Sequence, residues 1–158
     1  MMKVIGIDPG LADTGVGLVS GVGRSIKSHA YGTISTPKHE PITCRLATIY
    51  DKVRKTLEAE KPDLMVVEDV FSLKVFPRSG IVLGKVCGVL ILAGTQCGVP
   101  LLEIPVRQAK QVLTGNGNAS KKQLEAAVRR IVDAKTPIQP SHASDALGLA
   151  LIGFFRNA

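Results

Sequence analysis

The sequence predicts an α/β fold: a mixed five-stranded sheet, three antiparallel strands followed by two parallel ones, flanked by helices on both faces. Three observations predict it. Apolar runs that stop at turn or acidic residues alternate with segments of helical spacing, and the first three such runs follow one another with no helix between them. The composition is 45% hydrophobic yet 4% aromatic, rich in Val, Ile, Leu, Ala and Gly, which suits a buried sheet under closely packed helices. The resulting order, β-β-β-α-β-α-β-α-α-α, gives antiparallel neighbours first and right-handed βαβ crossovers after. With 158 residues and no repeat, low-complexity tract or linker, a single domain over 1–158 is expected.

The elements follow in order. Val4 to Asp8 is an apolar run halted by Pro9-Gly10, a buried strand ending in a turn. Thr14 to Ser20 and Ser28 to Ser35 read as the next two strands, with Gly21 to Gly23 as the hairpin signal between them. Thr43 to Glu60 carries Leu46, Ile49, Tyr50, Val53 and Leu57 at helical spacing, and Pro62-Asp63 ends it. Leu64 to Glu68 is a second apolar strand that stops in acid, and Val70 to Arg78 has loop character. Gly80 to Gln96 reads as an apolar helix capped by Gly98, Pro100 to Ile104 as a strand, and Pro105 to Leu113 as a helix with proline in its first turn. Thr114 to Asn118 is a loop. Ser120 and Gln123 fit a capping box that opens a helix to about Asp133. Ser141 is the expected N-cap of a last helix, His142 to Phe155.

Composition also excludes classes. Cys44, Cys87 and Cys97 are odd in number and widely spaced, so neither a disulfide framework nor a zinc site is indicated. The uncharged run Val86 to Leu102 is interrupted by Gly88, Gly94, Gly98 and Pro100 and falls short of a membrane span. Met1-Met2-Lys3 leads straight into the first strand, too short for a signal-peptide core. A cytoplasmic protein with no membrane partner is the expectation. Of the net charge of +7, almost all sits in the middle third: Lys74, Arg78, Lys85, Arg107, Lys110, Lys121 and Lys122 face only Glu103 between residues 70 and 122. A polyanionic partner is the natural inference.

Two of the buried strands end in a carboxylate, Asp8 and Glu68, and the crossover helix between them makes those strands parallel neighbours. The carboxyl ends of adjacent parallel strands are where α/β sheets place ligands, and two acids side by side there repel unless a cation sits between them. A divalent metal resolves the conflict most simply. On the last helix His142 and Asp145 are three apart and share a face, so a sheet edge covered by that helix start can receive both.

The segments Gly6-Ile7-Asp8-Pro9-Gly10, Thr14-Gly15-Val16-Gly17, Val67-Glu68-Asp69-Val70-Phe71, Val106-Arg107-Gln108-Ala109-Lys110-Gln111 and His142-Ala143-Ser144-Asp145-Ala146-Leu147 together resemble the RuvC-type Holliday junction resolvases. Each motif alone is weak; in this order over nearly the whole chain they are specific. The resemblance implies an RNase H-like nuclease acting as a homodimer on four-way junction DNA in recombination and repair. It implies one nick per subunit and a partnership with the RuvAB branch-migration complex. By motif match Asp8, Glu68 and Asp145 are metal ligands, and His142 stands where many relatives carry another Asp, either as a ligand or acting on the attacking water. Mg²⁺, two ions per site, is the implied cofactor, with Mn²⁺ able to substitute. Ligatable 5′-phosphate nicks are the implied product.

DNA contacts are expected from Lys121 and Lys122 at a helix N-terminus, where Gly115 and Gly117 would let phosphate approach the backbone, and by family match from Lys110. Phe71, beside Lys74 and Arg78, either caps the sheet as a core residue or stacks on an unpaired base, and the family match implies stacking. The helix Gly80 to Gln96 carries more apolar surface than one buried face requires, which points to a dimer interface. Rival readings are an RNA-processing nuclease of the YqgF type and a module that binds junctions without cutting them. Half of a sugar kinase or actin-like ATPase is disfavoured, because 158 residues leave no room for the second domain.

Overall fold

The computed structural model of the chain describes residues 1–70 and 77–157. Phe71 and Lys74 therefore lie outside the described residues. Five strands, β1 (Met2–Asp8), β2 (Asp13–Val22), β3 (Ser25–Ser35), β4 (Leu64–Glu68) and β5 (Leu101–Ile104), form one sheet in the order β3-β2-β1-β4-β5. β1 to β3 are antiparallel, whereas β1, β4 and β5 are parallel. The helices are α1 (Ile42–Glu60), α2 (Pro77–Gln96), α3 (Val106–Thr114), α4 (Lys121–Ile131) and α5 (Ser141–Asn157). The expected sheet, its mixed sense and every element are present.

Boundaries differ where apolar pattern carries no signal. β2 and β3 run further towards their hairpin than expected, because a bulge at Ser20/Gly21 lets Gly21 pair with Ile26 and Val22 with Ser25. Gly23, at φ +52°, makes the turn. α2 begins at Pro77, so Pro77 and Arg78 are helical rather than loop: proline has no N–H to lose in a first turn and its φ is preset for helix. Pro105 stands just outside α3 as its N-cap, its carbonyl accepting from the amides of Gln108 and Ala109. Ser141 is inside α5 instead of capping it, since the Pro140 carbonyl already accepts from Ala143 and Ser144. The capping box of Ser120 and Gln123 on α4 forms as expected.

Strand alternation divides the core between the two faces of the sheet. Ile5, Ile7, Met65 and Val67 point to α1 and α2 and pack on Ile49, Val53, Leu57, Val86 and Leu90. Val4, Val66 and Ile104 point the other way, to α3, α4 and α5, where Leu113, Leu124, Val128, Leu147 and Leu151 complete the second core. α5 is buried almost continuously from Ala143 to Phe154. A helix apolar on all sides needs cover on all sides, and the sheet beneath with α3 and α4 beside it supplies that cover.

α2 is covered on one side only. Val86, Leu90 and Ala93 are buried, while Ile81 and Leu92 are 63% and 48% exposed. It is the single helix among the described residues with the length and apolar composition to cross a membrane. Its buried stripe belongs to the core beneath it, and Lys85 lies exposed in its middle.

Candidate active site

The site grows from the alternation of β1 and β4. Ile7 pairs with Val67, so the next residues, Asp8 and Glu68, stand side by side where the two parallel strands end. Both point to the α5 face, and burial leaves them 5% and 9% exposed. The first turn of α5 closes over them. The Nδ1 of His142 lies 2.6 Å from Asp8 Oδ2, close enough for Nδ1–H to donate to the carboxylate. Asp145, three residues on, approaches from the same helix face, with its Oδ2 3.6 Å from Lys121 Nζ at the start of α4. Lys110 and Val106 of α3, Leu83 of α2, and the Pro9-Gly10 turn complete an open cleft of about 350 Å³ around these groups.

The electrostatics of this cleft are those of too many acids in too little water. Burial, followed by a hydrogen bond and charge repulsion from Asp8, pushes the Glu68 carboxyl up to about 9. Asp145 is raised as well, first by burial and then by Asp8, with Lys121 opposing the rise. His142 is raised through its hydrogen bond to Asp8, against the effect of its own burial. Among the described residues no three His, Cys, Asp or Glu side chains are gathered into a ready coordination shell. They are held pairwise instead, Asp8 by His142 and Asp145 by Lys121.

The donor set suits a divalent cation all the same. Hard oxygen ligands on adjacent strand ends are what Mg²⁺ or Mn²⁺ takes, and positive charge there opposes the burial and the Asp8 repulsion that raise Glu68. Asp8, Glu68 and Asp145, with the imidazole of His142, are the groups suited to hold such an ion.

The structure thus brings together six of the ten residues singled out by sequence: Asp8, Glu68, His142, Asp145, Lys110 and Lys121. Lys122 points away from the cleft into a neighbouring groove with Glu125, Arg129 and Ile138. Arg78 is exposed in the first turn of α2 and does not line the cleft. The loop glycines also have roles inside the fold. Gly115, at φ +76°, is the left-handed C-cap of α3, and a side chain on Gly117 would crowd that of Arg107. The Gly117 amide donates to Gln111 Oε1, and the Ser120 and Gln123 amides are spent in the capping box, so these groups build the turn and are not free for phosphate. Leu83 and Val106 were missed as cleft walls. Val106 was within reach, because it lies one helical turn before Lys110; nothing marked Leu83 within its apolar run.

Fold and site together define an α/β nuclease of RNase H-like architecture, with acids at the sheet edge and lysines above them. Residues 4–153 match the family model described as crossover junction endodeoxyribonuclease RuvC. The crossover junction endodeoxyribonuclease RuvC of Brevibacillus brevis is 37% identical over 150 residues, covering 95% of this chain and 90% of that protein. Its counterpart from Synechococcus sp. is 37% identical over 155 residues, covering 98% and 99%. Thermus thermophilus RuvC superposes with a TM-score of 0.86 at 31% identity, covering 99% of this chain and 96% of that one. The same protein in complex with Holliday junction substrate gives 0.91 at 30% identity, covering 99% and 95%. The chain belongs to the RuvC family of crossover junction endodeoxyribonucleases, and that family implies a divalent metal requirement.

Proposed function

We propose that this chain resolves four-way DNA junctions as a homodimer, each subunit nicking one of two symmetry-related strands. In this reading the whole activity resides in a single domain, with Asp8, Glu68, Asp145 and His142 as the metal ligands. Mg²⁺ is the working ion, two per site, and Mn²⁺ substitutes for it. The observation that carries the reading is the buried pair Asp8 and Glu68 at the ends of β1 and β4, with Glu68 pushed up to about 9 by burial and by its neighbour. Bound by these residues, divalent metal would supply activation of the attacking water and stabilisation of the leaving 3′ oxygen in an in-line displacement.

The chain's own groups do the rest. Asp8 fixes the imidazole of His142 through Nδ1, which leaves Nε2 as the nitrogen free to ligate or to take a proton. Lys110 and Lys121 line the cleft and supply the positive charge that holds the scissile phosphate over the acids. Leu83 and Val106 limit solvent on the α2 and α3 sides. No Ser-His-Asp set is needed, because the nucleophile is water and the products are nicks with ligatable 5′-phosphates.

The second subunit is assigned to the open face of α2. Ile81, Gly84, Gly88 and Leu92 form one exposed stripe, and a Cβ at either glycine would meet nothing within 4 Å. Two such helices can approach closely about a two-fold axis. Phe71 and Lys74 remain part of the proposed DNA surface, with Arg78 and Lys122 as outer phosphate contacts. By family resemblance the protein works in the cytoplasm with the RuvAB branch-migration complex.

The test is cleavage of a synthetic four-way junction, a linear duplex and a structured RNA, with Mg²⁺, Mn²⁺ or EDTA, by the protein and by Asp8→Asn. Paired symmetric junction nicks that need metal and vanish in Asp8→Asn, with junction binding retained, are the expected result. Cleavage confined to RNA would instead favour the RNA-processing reading. Junction binding without cleavage under any metal would favour the binding module.

A further inference from the structure

Thr14-Gly15-Val16-Gly17 stands out in the sequence, yet none of its side chains enters the cleft. Its glycines lie on the face of β2 that α5 covers. In register Gly15 is opposite Asp8 and Gly17 is opposite Gly6, so the three glycines lead along the sheet to the catalytic edge. α5 rests its main chain on this track. A Cβ on Gly6 would stand 2.0 Å from the carbonyl oxygen of Ala146, and one on Gly17 would stand 2.5 Å from Leu147 Cα. At Gly15 the clash is with the chemistry's own helix turn: 1.9 Å from the carbonyl oxygen of His142 and 3.1 Å from the Ala143 amide nitrogen.

We propose that Gly15 is a positioning residue of the metal centre: its missing side chain lets the first turn of α5 settle against β2, with His142 bonded to Asp8 and Asp145 turned into the cleft. The atoms that meet Gly15 are backbone, so they can retreat only if the helix turn moves. His142 would have to go from 1.9 Å to an ordinary contact of at least 3.4 Å, which breaks a hydrogen bond now 2.6 Å long. Directly opposed residues of an antiparallel pair carry their side chains on the same face about 5 Å apart. A methyl at 15 therefore sits beside Asp8 itself, at the point where the helix must come down. The inference rests on the assignment of Asp8, Glu68, His142 and Asp145 to the metal, and adds that the accuracy of that set is held from β2.

Gly153 supplies the control. It lies on the same helix against the same sheet, 11 residues or about 16 Å beyond His142, and a Cβ there meets side-chain atoms, Val66 Cγ2 at 2.5 Å and Val4 Cγ1 at 2.9 Å. Gly15→Ala and Gly153→Ala should both lower the melting temperature. Only Gly15→Ala should raise the Mg²⁺ or Mn²⁺ concentration that half-saturates metal-induced thermal stabilisation, by about tenfold or more. It should also cut kcat about 100-fold while KM for the junction stays within about threefold, as a displacement near 1 Å does.

Wild-type metal affinity and kcat in folded Gly15→Ala would overturn the proposal. So would equal losses of metal affinity in both variants, in step with their melting temperatures. Should Gly15→Ala fail to fold, amide hydrogen exchange of the metal-free wild type decides: the Asp145 and Ala146 amides should exchange as slowly as those of Leu149 to Ile152. Exchange at the rate of a fraying first turn would overturn the seating. A wild-type protein that gains no stability from metal would contradict the metal assignment instead, and the exchange rates would still test the seating separately.

Discussion

The two faces of the sheet are covered by different means. On one, α1 and α2 meet apolar side chains, Ile5, Ile7, Val67 and Met65, through their own Ile49, Val53 and Leu90. On the other, α5 packs side chains on Val4 and Val66 but also seats its main chain on Gly6, Gly15 and Gly17. Side-chain packing spreads an error over several rotamers, whereas backbone contact transmits it to the whole helix. The acids lie on the second face. The acids are placed where the fold tolerates least displacement, while the first face supplies general stability and leaves the outer stripe of α2 exposed.

This contrast can be broken by substitution on either side. The largest effect is expected from Asp8→Asn, which should lower junction cleavage by roughly 10³-fold or more, about 4 kcal/mol of transition-state stabilisation, with little change in folding. Loss of fold with loss of activity would remove the distinction between chemistry and packing. Leu90→Ala, on the opposite face, should cost about 2–5 kcal/mol of stability and leave the metal midpoint of the remaining folded protein unaltered. A shifted midpoint would mean that both faces set the site.

Glu68→Gln sharpens the comparison with a smaller effect. In metal-free protein Glu68, His142 and Asp145 all have raised values. A group bound to its proton more tightly in the folded state loses stability as pH rises from its unfolded value through its folded one. For Glu68 that window runs from about 4.5 to about 9. Metal-free wild type should therefore melt at progressively lower temperature across this range, and Glu68→Gln should melt about 2–4 °C higher at pH 8. Excess metal should reverse the order. A pH profile identical in the two proteins would contradict the buried acid pair. Least of all should Leu92→Glu disturb the fold, by about 0.5 kcal/mol or less, yet it should convert dimer to monomer in sedimentation. A persistent dimer would move the interface off α2.

Sequence reading reached the parts governed by side-chain chemistry. Asp8 and Glu68 were visible because each ends a short apolar strand, and parallel pairing of those strands follows from the helix between them. His142 and Asp145 were visible as a helix pair, but their docking over β1 was not. That docking depends on Gly6, Gly15 and Gly17, and a glycine in a strand pattern does not say whether a turn, a bulge or a helix backbone requires it. The loop around Gly115 and Gly117 shows the same blindness from the other side: nothing in the sequence told that these glycines also serve a cap and a turn. The start of α2 at Pro77 was hidden because proline marks loops and first helical turns equally well.

The most direct measurement is anomalous diffraction from crystals grown with Mn²⁺. Manganese should appear at the ends of β1 and β4 with oxygen ligands from Asp8 and Glu68, and should be absent from Asp8→Asn crystals under the same conditions. Manganese bound elsewhere, or an empty cleft in the wild type at saturating Mn²⁺, would contradict the account.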